Sequence, residues 1–184
     1  MTTRLLTILA LAAGLNAAPL LQLDPIDGKI QGAPGQTIGW GLSLSSDPTN
    51  FISVIGSLLL DESDPALGVY TDFIGAEGGP DGGVLPPGDP AWAQVFDSSL
   101  GTGAGSYTID PFVPIGAIDS GNLRVLFEVY SGDPRTCGSC FLFADGVQVP
   151  FQIEVTPAPE PTTLWILGGS LLLLGRLRRD QNLQ

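Results

Sequence analysis

The chain has no histidine and few cationic side chains. Its 184 residues include 7 Lys and Arg against 19 Asp and Glu. Without an imidazole, the usual Ser-His-Asp and Cys-His forms of nucleophilic catalysis are excluded. A zinc site of the usual kind is also disfavoured, because the 2 cysteines would need further ligands.

The few cations lie mostly at the two ends of the chain. Between residues 19 and 156 only Lys29, Arg124 and Arg135 remain, against 17 acidic residues, so this stretch carries a net charge of −14. Nucleic acid is excluded as a partner, because phosphate backbones require a basic footprint. Such acidity is typical of proteins that electrostatic self-repulsion keeps soluble, and divalent-cation binding is the more specific alternative.

The first 18 residues predict a signal peptide. Arg4 precedes an apolar run over residues 5–15, and the small residues Ala17 and Ala18 follow. Such a run is too short for a spanning helix of about 20 residues, but it suits a signal helix. We therefore expect signal peptidase to cut near Ala18 and the body to be exported. The alternative, a buried N-terminal helix, is disfavoured by Arg4.

Residues 157–184 combine a proline-rich spacer, a short apolar run and a basic cluster. The prolines at 157, 159 and 161 favour an extended chain. The apolar run, residues 164–175, is followed by the cluster Arg176, Arg178 and Arg179. As a helix this run would rise about 18 Å, short of the roughly 30 Å hydrocarbon core. Because arginines favour the cytoplasmic side, we expect a short transmembrane helix with the body outside the cytoplasm.

The order of these parts resembles the PEP-CTERM sorting signal of Gram-negative bacteria. Its elements here are Pro159-Glu160-Pro161, a short Gly/Leu-rich helix and the arginine cluster. The resemblance implies that an exosortase-type membrane protease recognises Pro159, Glu160 and Pro161 and cuts near them. Anchoring in the inner membrane would then be transient, and the body would reach the cell surface or a biofilm-type extracellular matrix. Residues 180–184 extend beyond the usual end of the family pattern, and a plain tail anchor is the alternative.

Period-two alternation predicts β-strands in the body. The clearest segments are residues 37–45, 122–130 and 147–155, and residues 51–60 are apolar nearly throughout, as in a strand buried on both faces. Weaker candidates are residues 68–74, 93–97 and 106–109. Residues 75–90 are predicted to form a long loop without a regular element. Pro150 removes one ladder donor, which predicts a sheet edge or a bulge.

Asp-Pro pairs punctuate the body and are predicted to start turns. They begin at Asp24, Asp47, Asp64, Asp89, Asp110 and Asp133. Short strands separated by such turns predict an all-β fold over residues 19–156, a single two-sheet antiparallel sandwich that is immunoglobulin-like or jelly-roll-like. Residues 34–44, PGQTIGWGLSL, resemble the opening of immunoglobulin-like modules in bacterial surface proteins.

The two cysteines, Cys137 and Cys140, are three positions apart in a Gly/Pro-rich segment. In an exported protein such a pair most often forms a disulfide, here in a loop between two late strands. Free thiols and a redox or metal-binding CxxC are the alternatives. The surroundings predict no helix N-terminus that would activate a thiol.

Two binding sites are weaker hypotheses. Asp61, Glu62 and Asp64 offer oxygen ligands for calcium, although solvated turns explain them as well. Trp92, next to Pro90 in a predicted loop, is a candidate for a sugar-facing aromatic side chain.

Taken together, these features predict a non-enzymatic exported protein of the cell envelope or extracellular matrix, without a cofactor. One alternative is a polysaccharide- or calcium-binding module. Another is a glycoside hydrolase that uses paired carboxylates. The hydrolase is disfavoured because the acidic residues lie mostly beside Pro or Gly in predicted turns.

Overall fold

The structure is a computed structural model that describes residues 19–75 and 83–158. The predicted signal peptide lies outside the described residues. So do the sorting motif Pro159-Glu160-Pro161, the C-terminal apolar run and the cluster Arg176, Arg178 and Arg179. Over the described ranges the regular elements are all β-strands, and no helix there is long and apolar enough to cross a membrane.

The strands follow one another along the chain with turns and short loops between them. They are β1 (Leu21–Asp24), β2 (Lys29–Gly32), β3 (Thr37–Leu44), β4 (Phe51–Leu60), β5 (Gly68–Asp72), β6 (Val84–Leu85), β7 (Trp92–Gln94), β8 (Gly105–Ile109), β9 (Ile118–Tyr130) and β10 (Phe141–Val155).

The strands form two five-stranded sheets. The first has the order β1-β3-β8-β5, with β7 also paired to β3, and the second has the order β2-β10-β9-β4-β6. The prediction of purely antiparallel sheets is wrong at one edge, because β2 runs parallel to β10, with Lys29 opposite Gln152. Alternation shows which face of a strand is buried, but not the direction of its neighbour.

One apolar core is shared by the two sheets, and the predicted alternation is confirmed in its central strands. The buried side chains of these strands are Ile38, Trp40, Leu42 and Leu44 of β3, Leu123, Val125, Phe127 and Val129 of β9, and Phe151, Ile153 and Val155 of β10. Since each set repeats every second residue, its alternate residues face away from the core.

The predicted segments differ from the observed strands mainly at their ends. Strand β4 coincides with the predicted 51–60, whereas β9 and β10 begin earlier, at Ile118 and Phe141. The prediction that residues 75–90 hold no regular element is wrong, because Val84 and Leu85 pair with β4. Strand β10 lies inside its sheet, between β2 and β9, so the predicted edge strand is wrong as a whole. At Pro150 itself β10 pairs with β9 alone, since β2 first pairs at Gln152, and the missing donor is tolerated there.

The Asp-Pro pairs start turns, as predicted, at five of the six positions. At Asp47, Asp64, Asp110 and Asp133 the Asp side chain accepts a hydrogen bond from the backbone N–H two residues on, and the turn after Asp24 is closed by the Gly28 N–H, which donates to the Pro25 carbonyl. Burial alone would raise the pKa of the Asp47 carboxyl, but hydrogen bonds from Thr49 and Asn50 outweigh it and lower this pKa.

Candidate functional site

The turn that follows β4 is attached to the start of β9 by a set of short polar contacts. Asp61 opens the turn in the left-handed region, with φ 55°. The Ser63 backbone N–H donates to the Ser120 carbonyl at 2.9 Å, and the Ser120 N–H donates to Ser63 Oγ at 2.9 Å. One carboxylate oxygen of Asp119, Oδ1, accepts from Ser63 Oγ at 3.1 Å and from the Asp64 N–H at 2.9 Å.

The Asp119 side chain is 0% exposed, and its second oxygen, Oδ2, has no hydrogen-bond partner among the described residues. Tyr107 of β8 is equally buried, and its hydroxyl also lacks a partner of ordinary geometry there. Burial and the nearby acidic groups of Asp119, Glu62 and Asp64 raise the pKa of Tyr107. A buried carboxylate oxygen without a hydrogen-bond partner lowers the stability of the folded state, which distinguishes Asp119 from an ordinary core residue.

Glu62 is a half-buried carboxyl on the same turn. Burial raises the pKa of Glu62, and the nearby charge of Asp119 raises it further.

Each of the three calcium candidates has a different environment. Asp61 is exposed, Glu62 is half-buried, and the Asp64 carboxylate accepts a hydrogen bond from the Ala66 N–H. Within residues 19–75 and 83–158 there is no group of three or more His, Cys, Asp or Glu that could hold a metal ion. The structure therefore does not gather these candidates into one ligand set.

A second polar cluster joins the two sheets around Ser57 of β4. Ser57 Oγ lies 2.7 Å from Tyr70 Oη, 2.5 Å from Asp72 Oδ1 and 2.7 Å from the Ala104 carbonyl oxygen. Burial, with the charge of Asp72, raises the pKa of Tyr70. Because Ser57 is buried and its neighbours include no histidine, we interpret the cluster as a tie between the sheets.

Trp92 lies in a strand, so the prediction of a loop position is wrong. It begins β7, pairs with Leu44 of β3 and is half-buried against the core. The pairing of Trp92 with β3, which the local sequence does not show, explains the difference. Sugar binding by Trp92 stays a prediction.

Cys137 and Cys140 lie in the loop between β9 and β10, where the sequence places them. Their sulfur atoms are at disulfide distance, and their Cα atoms are 5.8 Å apart, within the range of protein disulfides. The pair closes the loop that connects the two longest strands.

Sequence reasoning missed Asp119 and Tyr107, although a signal for Asp119 exists. The alternation that buries Leu123 and Val125 in β9 continues back through residue 121 to Asp119. A carboxylate on the core face of a strand is unusual and marks a buried polar site. Tyr107 has no comparable signal, because a tyrosine on an apolar face is ordinary.

Comparisons of the chain with protein-family models, with curated proteins and with solved structures found no match.

Proposed function

We propose that the chain is an exported, non-enzymatic protein of the cell envelope or extracellular matrix, sorted by an exosortase-type membrane protease. The observation that carries the proposal is the order of Pro159-Glu160-Pro161, the short apolar run and the arginine cluster in a chain that opens with a signal-type segment. A strongly acidic, turn-rich β body supports it, because such a surface remains soluble outside the cell.

The proposal includes an immunoglobulin-like sandwich for the body. In that fold one sheet has the strand order A-B-E-D and the other contains C, F and G. The order β1-β3-β8-β5 corresponds to the first, and the neighbours β10, β9 and β4 correspond to G, F and C. This correspondence favours the immunoglobulin-like over the jelly-roll-like alternative.

Replacing Pro159, Glu160 and Pro161 together with alanine tests the sorting step. In the host, the unaltered protein is expected to lose its C-terminal residues and to appear in the surface or extracellular fraction. The triple variant is expected to keep residues 159–184 and to stay in the membrane fraction, because the protease no longer recognises it. Mass spectrometry of both fractions reports the cleavage.

The matched control is Pro157→Ala, which removes a spacer proline but leaves the motif intact. This variant should be processed like the unaltered protein. Equal processing of the triple variant, or an unaltered protein that retains its arginine cluster at the cell surface, would show that the motif is not a sorting signal.

A second candidate function, polysaccharide binding, is favoured by an aromatic row on the outer face of the second sheet. Phe51, Tyr130 and Phe141 are cross-strand partners on β4, β9 and β10. The rings of Tyr130 and Phe141 meet edge to face, with centroids 5.7 Å apart, and Phe141 is 53% exposed. Exposed apolar rows of this kind often mark binding surfaces.

Phe141→Ala is expected to weaken binding of the host's own exopolysaccharide several-fold, because it removes the most exposed ring of the row. Co-sedimentation of the full-length protein with the polysaccharide measures the effect. The control is Phe112→Ala, since Phe112 is 92% exposed and lies outside the row. Equal binding by both variants and the unaltered protein would contradict this second function.

A further inference from the structure

The connection between β8 and β9 exposes three large apolar side chains close together in the chain. Phe112 is 92% exposed, Ile115 is 62% exposed, and Ile118, the first residue of β9, is 48% exposed. Single apolar residues on a surface are ordinary, but three within seven positions form a patch of the kind that marks an interaction site. We call Phe112, Ile115 and Ile118 the apolar patch.

The backbone that carries the apolar patch is held by the fold. The Phe112 N–H donates to the Asp110 carboxylate at 2.7 Å, and the Ala117 N–H donates to the Pro114 carbonyl at 3.2 Å. Val113 and Ala117, between the exposed residues, pack against the core. The exposure of the patch is therefore a property of an ordered turn.

The last strand of the body ends beside this turn. The Gly116 N–H donates to the Val155 carbonyl at 2.8 Å, and the Val155 N–H donates to the Ala117 carbonyl at 2.9 Å. Eight residues, 156–163, separate Val155 from the apolar run at residues 164–175. Since an extended proline-rich chain spans about 3.1 Å per residue, this spacer reaches at most about 25 Å. Whatever holds the apolar run is therefore close to the apolar patch.

We propose that Phe112, Ile115 and Ile118 form a lipid-contact surface that holds this end of the body against a membrane before sorting. The proposal rests on the proposed function, in which residues 164–175 keep the chain in the membrane until the protease cuts it. Side chains as exposed as Phe112 protrude from the body. Protruding apolar side chains fit the boundary between headgroups and acyl chains of a bilayer, which deforms around them.

The short spacer explains why three side chains are enough. Even a single myristoyl chain binds a membrane only marginally, so the apolar patch would not hold a free domain there. Linked to an inserted segment, the same contact becomes intramolecular, with an effective concentration on the order of millimolar. A cut near Pro159, Glu160 and Pro161 removes the link, so the contact does not oppose release of the body.

The lipid surface that fits the apolar patch is a neutral one. Asp110 is exposed at the start of the turn, and the exposed Glu154 lies opposite Ile118 on β10. These carboxylates would be repelled by anionic headgroups. Zwitterionic phosphatidylcholine is therefore the probe of choice.

Tryptophan quenching in the full-length protein, incorporated into phosphatidylcholine vesicles, tests the proposal. Brominated phosphatidylcholine quenches tryptophans that enter the acyl region, and Trp165, within the apolar run, reports whether that run is inserted. Phe112→Trp in a Trp165→Phe background reports the apolar patch. Its emission should shift to shorter wavelength in vesicles and lose more intensity with the brominated lipid than the Trp165→Phe parent does.

The matched control is Phe143→Trp in the same Trp165→Phe background. Phe143 is 50% exposed on β10, twelve residues before Val155, which places it roughly 40 Å away along the strand. Its emission should not respond to the brominated lipid.

Each of the other outcomes overturns the proposal in a recognisable way. Quenching of Trp165 without quenching at residue 112, or with equal quenching at residues 112 and 143, would overturn it and leave the membrane anchor standing. Absence of quenching at Trp165 would contradict the anchor and the proposal together. A shift of the Phe112→Trp emission that appears without vesicles and grows with protein concentration would assign the patch to contacts between copies of this chain.

Discussion

Replacing Trp40 with alanine is expected to lower the free energy of unfolding by about 3 to 5 kcal/mol, the usual range for a large aromatic side chain in a core. Trp40 is 0% exposed and contacts both sheets, with ring centroids 5.6 Å from Phe151 and 6.3 Å from Tyr70. Its Nε1–H donates to the Gly28 carbonyl at 2.8 Å. Alanine would therefore leave a cavity and remove one of the two hydrogen bonds to the Gly28 carbonyl, which still accepts from the Gln152 N–H at 3.1 Å.

Urea unfolding followed by far-ultraviolet circular dichroism measures the loss without depending on the tryptophan that is removed. Trp40→Phe keeps an aromatic ring but removes the donor to Gly28, so it should cost less than the alanine variant. Val69→Ala is the surface control, because Val69 is 68% exposed, and it should change stability by less than about 0.5 kcal/mol. If Trp40→Ala unfolded at the same urea concentration as this control, the two sheets would not depend on Trp40.

The parts of the fold that could be predicted are those for which a strand's own residues carry the information. In β3 and β9 every second side chain is apolar over at least four positions, and those side chains are the buried ones. Strand β1 offers only Leu21 and Leu23, a pattern too short to separate from chance. Strand β1 is recognised only through its pairing with β3, in which Leu21 lies opposite Leu44.

Partner strands and their direction required contacts between distant residues. In the parallel pairing of β2 with β10, Lys29 lies opposite Gln152, and no local sequence pattern predicts this pairing. Trp92 illustrates the same limit. The nearby Pro90 predicts a loop, whereas pairing with β3 places Trp92 in a strand.

The candidate site was only half visible in the sequence. The acidic turn with Glu62 and Asp64 stands out in the sequence as a cluster of carboxylates, for which solvated turns and a calcium site are both open interpretations. Its buried partner, Asp119, comes from another strand and accepts hydrogen bonds from Ser63 and Asp64 of the turn, a contact that only the folded chain brings about.

Gly105→Ala is expected to be the second most damaging substitution, at about 2 to 4 kcal/mol. Gly105 lies on β8 opposite Trp40 on one side and Asp72 on the other. An added Cβ would meet the hydroxyl of Tyr70 and would lie 2.5 Å from the backbone oxygen of Thr71. Backbone cannot yield there without opening the pairing of β5 with β8.

The double variant Gly105→Ala with Tyr70→Phe tests the contribution of the Tyr70 hydroxyl. Removing the hydroxyl relieves the nearest contact but leaves the ring carbon Cζ of residue 70 and the Thr71 oxygen, each 2.5 Å from the added Cβ, so we expect only partial recovery of the urea midpoint. Gly138→Ala is the control, since an added Cβ meets nothing within 4 Å and should leave the midpoint unchanged. Full recovery in the double variant would show that the side chain, and not the spacing of β5 and β8, requires glycine. No loss in the single variant would show that the two strands can separate at little cost.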